Sequence, residues 1–389
     1  MNFPKTTSPL FLLFFVLLFS CKDKVPNNKA FEFESFVTFK YAKGITITKT
    51  TQGNIVTILN PQSGEILDHF VVTKDSVTNL ENTKTIRLPI GNIIAYSSTY
   101  ISFIEKFDKL KNVKGVTYSQ GIKNKTINKQ LVNKQTIDIG SEQSPDKELI
   151  LSLKPNITLI YPSNGSNDWY KSFDVPTITN VEYLEIHPLA QAEWIKLYGI
   201  LFDKEKLADS IFNSIETNYL ELIKSLNKDS NLVKPTVLCG ELFDGVWTLP
   251  GGKSTTSQII KDAGGNYFYK KDTSVGSKKI DFEVILKQDS TIDYWVLLSY
   301  DNQEITKKYL LEKNERYSYL SVLKTNKIGV CNTAKNTYFE KGILEPHVLL
   351  SDLIYLFHKK KPFDFPEISG QAAQDKNIDS TIYFKAITE

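Results

Sequence analysis

Leu207, Ile211, Ile215, Tyr219, Leu222 and Leu226 fall at steps of four, four, four, three and four, which draws one apolar stripe along a helix. If Asp203 opens that helix, it runs about 24 residues, or about 36 Å at 1.5 Å per residue. A rod of that length in mid-chain is long enough to brace two lobes, although a surface helix inside a single domain would carry the same stripe. A chain of 389 residues also exceeds what one core usually serves. Two lobes of roughly 150 residues each are therefore the expectation.

The chain on either side of the rod follows one grammar. Phe36 to Tyr41, Ile45 to Thr51 and Asn54 to Leu59 alternate or cluster β-branched and aromatic residues, and Pro61-Gln62-Ser63-Gly64 turns the chain, so the opening reads as a β meander. The apolar stretch Ile86 to Tyr96 precedes helical spacing over Thr99 to Leu110 and a second short run, Val113 to Tyr118. Strand, helix, strand implies a parallel sheet. After residue 230 the pattern returns in Pro235 to Gly240, the helix Thr255 to Ala263, Ile292 to Ser299 and Lys327 to Cys331. The predicted fold class is α/β: two lobes, each with a mostly parallel central sheet flanked by helices, joined by one long rigid helix and preceded by the meander. The boundaries expected are 31–187 for the N-terminal lobe, 188–229 for the connecting helical segment and 230–389 for the C-terminal lobe.

The halves also share a detail. Glu148-Leu149-Ile150-Leu151 is followed, nine residues after the glutamate, by the strand Ile157 to Tyr161, and Glu283-Val284-Ile285-Leu286 is followed at the same offset by Ile292 to Leu298. An acidic residue thus opens the same helix in each lobe. Each carboxylate also favours the positive end of its helix, by a few tenths of a kcal/mol.

Residues 1–20 read as an export signal. Lys5 precedes an unbroken apolar run from Pro9 to Phe19, too short for a membrane span, and Leu18-Phe19-Ser20-Cys21 resembles a bacterial lipoprotein signal with Cys21 as the lipidated residue. The polar, Asn-rich stretch that follows makes 21–30 a flexible tether. Cys239 and Cys331 remain, and they either pair or lie buried as free thiols.

Lys and Arg total 47 against 44 Asp and Glu, and Arg87 and Arg316 are the only arginines, so the forks that read guanine or clamp phosphate are nearly absent and nucleic acid is excluded as a partner. Gly252-Lys253-Ser254 ends like a phosphate-binding loop, but Trp247 stands where the first glycine belongs. Thr255 and Gln258 instead read as a capping box for a helix that stops at Gly264-Gly265. The four histidines, His69, His187, His347 and His358, are scattered, neither cysteine has a neighbour at metal spacing, and no G-x-S-x-G marks a nucleophile. His347, after proline at a helix start, reads as a cap, and no protein-held metal or cofactor is expected.

Gly115-Val116, Glu148 to Pro155 as ELILSLKP, Pro188 to Trp194 as PLAQAEW, Trp247 to Ser254 as WTLPGGKS, Asp262 to Gly265 as DAGG, and Glu345-Pro346-His347 resemble, in order and spacing, the substrate-binding proteins of ABC importers for metal chelates: cobalamin, ferric siderophores and haem. The resemblance covers roughly residues 85 to 360. It implies a lipid-anchored monomer in the cell envelope, with a chelate carried between the lobes as cargo and a permease dimer met by Glu148 and Glu283. Exposed carboxylates add little to folding but orient docking and speed encounter.

The ligand is expected at the carboxyl ends of the parallel strands. In the first lobe these supply Ser97, Ser98, Tyr118, Ser163 and Trp169, and in the second Glu241, Phe243, Trp247, Tyr338, Phe339 and Lys341. Aromatic faces with a few polar groups suit a flat amphipathic chelate. Corrinoid, siderophore and haem all stay open at this point. The alternatives from other classes are a lipid-anchored hydrolase using the same cleft and a chelate-storing surface protein without a permease.

Overall fold

The structure, a computed structural model, describes residues 32–74, 83–162, 170, 175–360 and 381–389, so the leader, the tether and Cys21 lie outside the described residues. The first sheet has the order β1 (Phe33–Phe36), β2 (Ile45–Thr50), β3 (Gly53–Leu59), β4 (Ile66–Thr73), β5 (Lys84–Arg87). Four strands form the expected antiparallel meander, and β5 adds in parallel. The strand expected over Phe36 to Tyr41 ends at Phe36. Its amides are used elsewhere: Lys40 N and Tyr41 N donate to the Glu193 carboxylate at 2.8 Å and Ala42 N at 3.0 Å. Lys43 N and Gly44 N donate to Glu185 at 2.9 and 2.8 Å. Two carboxylates satisfy the backbone donors that a neighbouring strand would otherwise take.

The second sheet, order β10 (Thr177–Thr179), β9 (Ile157–Ile160), β6 (Ile93–Ala95), β7 (Val113–Val116), β8 (Ile137–Asp138), is wholly parallel. Its helices include α1 (Ser98–Glu105), α2 (Lys125–Val132) and α3 (Lys147–Ser152). β6 and β9 are buried throughout, as strands covered on both faces must be. The apolar stretch Ile86 to Tyr96 is two strands, β5 and β6, parted where Pro89 supplies no backbone donor.

The connecting segment is three helices, α4 (Pro188–Glu193), α5 (Ile195–Leu201) and α6 (Glu205–Leu226). The long one has 22 residues, about 33 Å. Asp203 does not open it: at φ 56° it turns the chain between α5 and α6. The two helices meet so closely that a Cβ on Gly199 would lie 2.6 Å from the Ala208 Cβ. The buried face of α6 runs Ala208, Phe212, Ile215, Glu216, Tyr219, Leu222 and Leu226, which leaves Leu207 exposed and Ile211 half-buried. Glu216 can occupy a core-side position because it accepts from Lys40 Nζ at 2.6 Å and the Tyr41 hydroxyl at 2.8 Å.

In the C-terminal half the sheet order is β14 (Asn266–Tyr267), β11 (Thr236–Cys239), β16 (Tyr294–Ser299), β17 (Ile328–Asn332), β18 (Lys385–Ala386), parallel except for β18. A small antiparallel ladder, β12 (Glu241–Phe243), β13 (Val246–Leu249) and β15 (Lys278–Ile280), leans on it. The helices used below are α7 (Thr255–Asp262), α8 (Phe282–Leu286), α9 (Tyr338–Lys341) and α10 (Pro346–His358), the last packed on α6. Cys239 and Cys331 are both buried and unpaired. They sit on β11 and β17 with β16 between and are offset by two residues in register, so more than about 9.5 Å, two strand spacings, separates them and they are out of disulfide reach.

Glu193 has no exposure, and its partners include Lys196 Nζ at 2.8 Å, so its loss strands a buried cation and three amides. Glu193→Ala is expected to lower the unfolding free energy by about 3–5 kcal/mol, against less than about 1 kcal/mol for the exposed Leu207→Ala. Urea unfolding followed by circular dichroism measures both, and equal losses would contradict the role given to Glu193.

Candidate ligand-binding site between the lobes

Strand alternation builds one wall of the site. Trp295 and Leu297 of β16 are fully buried on one face, while Val296 and Leu298 line a cavity on the other. The cavity holds about 520 Å³. Thr99, Glu182 and Tyr183 close it from the N-terminal lobe, Pro188 and Gln191 from α4, and Thr255, Thr256, Ser277, Tyr338 and Phe339 from the C-terminal lobe. A second compartment of about 410 Å³ continues to Gly240, Glu241 and Phe243, sharing Thr256, Ser277, Leu298, Tyr338 and Phe384 with the first. The C-terminal sheet reverses its strand order between β11 and β16, and open α/β sheets place ligands at such a reversal.

The lobes meet at a rim. The Thr99 hydroxyl donates to the Phe339 carbonyl at 2.8 Å. The buried Glu340 carboxylate accepts from the amides of Lys123 and Asn124, the latter at 3.3 Å. Tyr118, at φ 48° on the carboxyl end of β7, shares a hydrogen bond with Tyr300 at the end of β16, which raises the Tyr118 hydroxyl above its ordinary range. At the opposite end, the Thr255 hydroxyl donates to the Glu185 carbonyl at 2.8 Å. That contact corrects the capping box: Ser254 caps α7, accepting from Ser257 N at 3.2 Å, and Thr255 is spent between the lobes.

Two carboxyls line the described cavity. Glu241 is paired with Lys313 at 3.0 Å. Glu182 lies on the turn Glu182–Leu184 after β10; burial pushes its carboxyl up to about 7, the nearby Glu185 charge adds to this, and its own backbone amide opposes it. Lys279 is the single cation among the described lining residues, and no histidine is among them.

Of the residues singled out in the sequence, Glu241, Phe243, Tyr338 and Phe339 line these compartments. Ser163 and Trp169 fall outside the described residues. Trp247 is a correction: it is fully buried, stacks on Phe282 at 5.8 Å, meets Trp295 and Tyr317, and donates its indole N–H to the Cys239 carbonyl at 2.8 Å, so it supports the wall from behind. Ser97 is occupied in capping α1, accepting from Thr99 N at 3.2 Å, and Ser98 is the first residue of that helix; neither lines the cavity. Tyr118 is at the rim, and Lys341 is not among the residues that line the two compartments; its charge acts on the carboxyls of Glu340 and Glu345. Sequence reasoning missed Glu182, Tyr183 and Thr256, which carry no motif.

Glu148 and Glu283 are exposed and occupy the second position of α3 and α8. Six residues before Glu148, Glu142 bonds the Tyr161 hydroxyl beside the carboxyl end of β9; six residues before Glu283, Ser277 lines the cavity. Both glutamates thus follow a segment tied to the cleft end of their lobe. They differ in that Glu283 pairs with Arg316 at 2.8 Å.

The profile of the family described as periplasmic binding protein matches residues 93–333. The chain belongs to that family. An uncharacterized lipoprotein of Methanocaldococcus jannaschii is 28% identical over 290 residues, covering 72% of this chain and 67% of its own. Among solved structures, a component of an ABC-type Fe3+-hydroxamate transport system from Saccharomonospora viridis superposes with a TM-score of 0.55 at 16% identity, over 69% of this chain and 94% of that one. A periplasmic haem-binding protein of Roseiflexus sp. RS-1 gives 0.53 at 15%, over 69% and 98%. These likenesses carry the two-lobed fold. In this periplasmic binding protein the sheet β1 to β5, the helices α9 and α10 and the closing strand β18 lie outside the matched span.

Two outcomes follow from the cleft. Removing the acceptor of the Lys123 and Asn124 amides in Glu340→Ala is expected to lengthen the mean separation of spin labels placed one on each lobe; an unchanged distance distribution would contradict the bridge. Glu182 stays protonated in the folded chain up to about 7 but ionises near 4.5 when unfolded. The folded state therefore binds more protons through that window, and stability falls as pH rises across it. In Glu182→Gln this fall disappears, a gain on the order of 3 kcal/mol at pH 8 read from urea unfolding at several pH values.

Proposed function

We propose that this periplasmic binding protein is the lipid-anchored receptor of an ABC importer, held to the membrane through Cys21, and that it lodges a metal chelate between its lobes for delivery to a permease dimer. The chelate is a corrinoid, a ferric siderophore or haem. The observation that carries the reading is a cavity walled by both lobes at the strand reversal, closed at the rim by a few hydrogen bonds that can part and re-form. The named neighbours support the cargo class: one is described as binding haem and another as part of Fe3+-hydroxamate transport. The relative described as a lipoprotein supports the anchor. The receptor works as a monomer in the cell envelope and performs no catalytic step.

Glu148 and Glu283 are the docking residues in this reading, one on each lobe. Exposed charges of this kind act on encounter and orientation. The double variant Glu148→Ala, Glu283→Ala is expected to bind chelate unchanged while its association with permease in lipid vesicles slows at least about tenfold at low salt. Association at the unaltered rate would remove the docking assignment.

A further inference from the structure

Glu182 differs from every other glutamate near the hinge. Glu185 accepts from Lys43 N, Gly44 N and the Trp194 indole, at 2.8 to 3.1 Å. Glu193 takes three amides and Lys196, and Glu216 takes Lys40 and Tyr41. Those three are structural acceptors with their donors in place. Glu182 is 3% exposed and lines the cavity, yet its Oε2 meets no hydrogen-bond partner among the described residues. Buried polar atoms are paired as a rule, and an orphan in a native interior marks either a missing partner or a functional role.

The surroundings limit what the missing partner can be. Tyr100, Tyr183, Tyr198 and Glu185 are the titratable groups that interact with Glu182, and each leaves Oε2 without a donor. Lys279 belongs to the other compartment and is exposed. The cavity side of Glu182 is therefore open to a donor carried in by the cargo, while a carboxylate or phenolate on the cargo would face a like charge across a poorly solvated gap whenever Glu182 is ionised, as it is at pH 8.

Resting on the receptor reading above, we propose that Glu182 is a specificity-determining residue that takes an N–H donor of the cargo, so that the cargo belongs to the chelates bearing free carboxamide or ammonium groups on their periphery. Haem, whose polar edge is a pair of propionates, and ferric tris-catecholates, which are anionic, are disfavoured by the same group in its carboxylate form.

The test uses the full chain in detergent at pH 8 and titration calorimetry with four probes: cyanocobalamin, ferric desferrioxamine B, ferric enterobactin and haem. Cyanocobalamin or ferric desferrioxamine B, which carry carboxamides and an ammonium respectively, is expected to bind. Glu182→Met is expected to weaken that probe at least about tenfold, the loss of a hydrogen bond to a charged or strongly polar acceptor. Glu182→Gln, which keeps a carbonyl acceptor in the same place, is expected to stay within about threefold. Glu182→Met deletes a buried carboxyl, so it is expected to fold, which circular dichroism checks. If Glu182→Met binds the probe as tightly as the unaltered chain, or if haem or ferric enterobactin binds best, the specificity inference is overturned and the receptor reading stands. If none of the four binds, the chelate reading itself is overturned, and the inference with it.

Discussion

The Glu193 carboxylate, without exposure and surrounded by the amides of Lys40, Tyr41 and Ala42 and the ammonium of Lys196, is the interaction from which the molecule takes its geometry. A carboxylate out of water costs several kcal/mol unless its lone pairs are filled. Here three donors come from the loop between β1 and β2, one from α5 and the acceptor from the end of α4, so the charge is stable only while that loop and the spine hold one relative position. The Lys196 ammonium also lies 5.4 Å from the Phe39 ring and 5.0 Å from the Phe212 ring, which ties the loop and α6 to the same point. Glu185 extends the arrangement: its carboxylate holds Lys43, Gly44 and Trp194, and its carbonyl accepts from Thr255 of the C-terminal lobe.

Movement between the lobes is unequal as a result. At the hinge end, buried charge-assisted bonds and the packing of α5 and α10 on α6 resist displacement. At the rim, the Thr99 bond to Phe339 and the Tyr118 bond to Tyr300 lie near solvent, where water competes for each donor and acceptor. Rim contacts therefore part before hinge contacts do. Glu340 is the exception at the rim, since burial raises its carboxyl while the Lys123 and Asn124 amides hold it down. Opening exposes that carboxylate to water, which refunds part of the lost bonding and keeps the opening inexpensive.

The alternation of strand and helix and the stripe on α6 were legible because period-2 and period-3.6 patterns report burial directly. What could not be read was which apolar residues face the ligand. Trp247 looked like a binding aromatic because it stood near a strand end, but the choice between core and cleft depends on Phe282, Trp295 and Tyr317 arriving from distant segments. The strand expected over Phe36 to Tyr41 failed for a similar reason: its amides answer to a carboxylate more than 150 residues away. Leu207 lost its place on the stripe to a pattern in which Glu216 is buried, and a buried glutamate is invisible until Lys40 and Tyr41 are seen beside it. Glu182 lies at the far end of this scale, since nothing in Val181-Glu182-Tyr183 tells a lining carboxyl from a surface one.

The internal repeat that singled out Glu148 and Glu283 conceals a physical asymmetry. Glu283 carries a guanidinium, and Arg316 in turn rests 4.8 Å over the Phe282 ring. An exposed pair of this kind is worth about 0–1 kcal/mol, so exchanging Arg316 for an arginine of a partner is close to neutral in energy. Its effect lies in geometry and rate. Were docking to proceed as proposed, the ring would keep Arg316 in place during the exchange and Glu283 in one orientation before contact, and a basic partner would meet a weaker local field at this lobe than at Glu148. In the proposed docking, Glu148 would then contribute more to long-range attraction and Glu283 more to the final registration of the two surfaces.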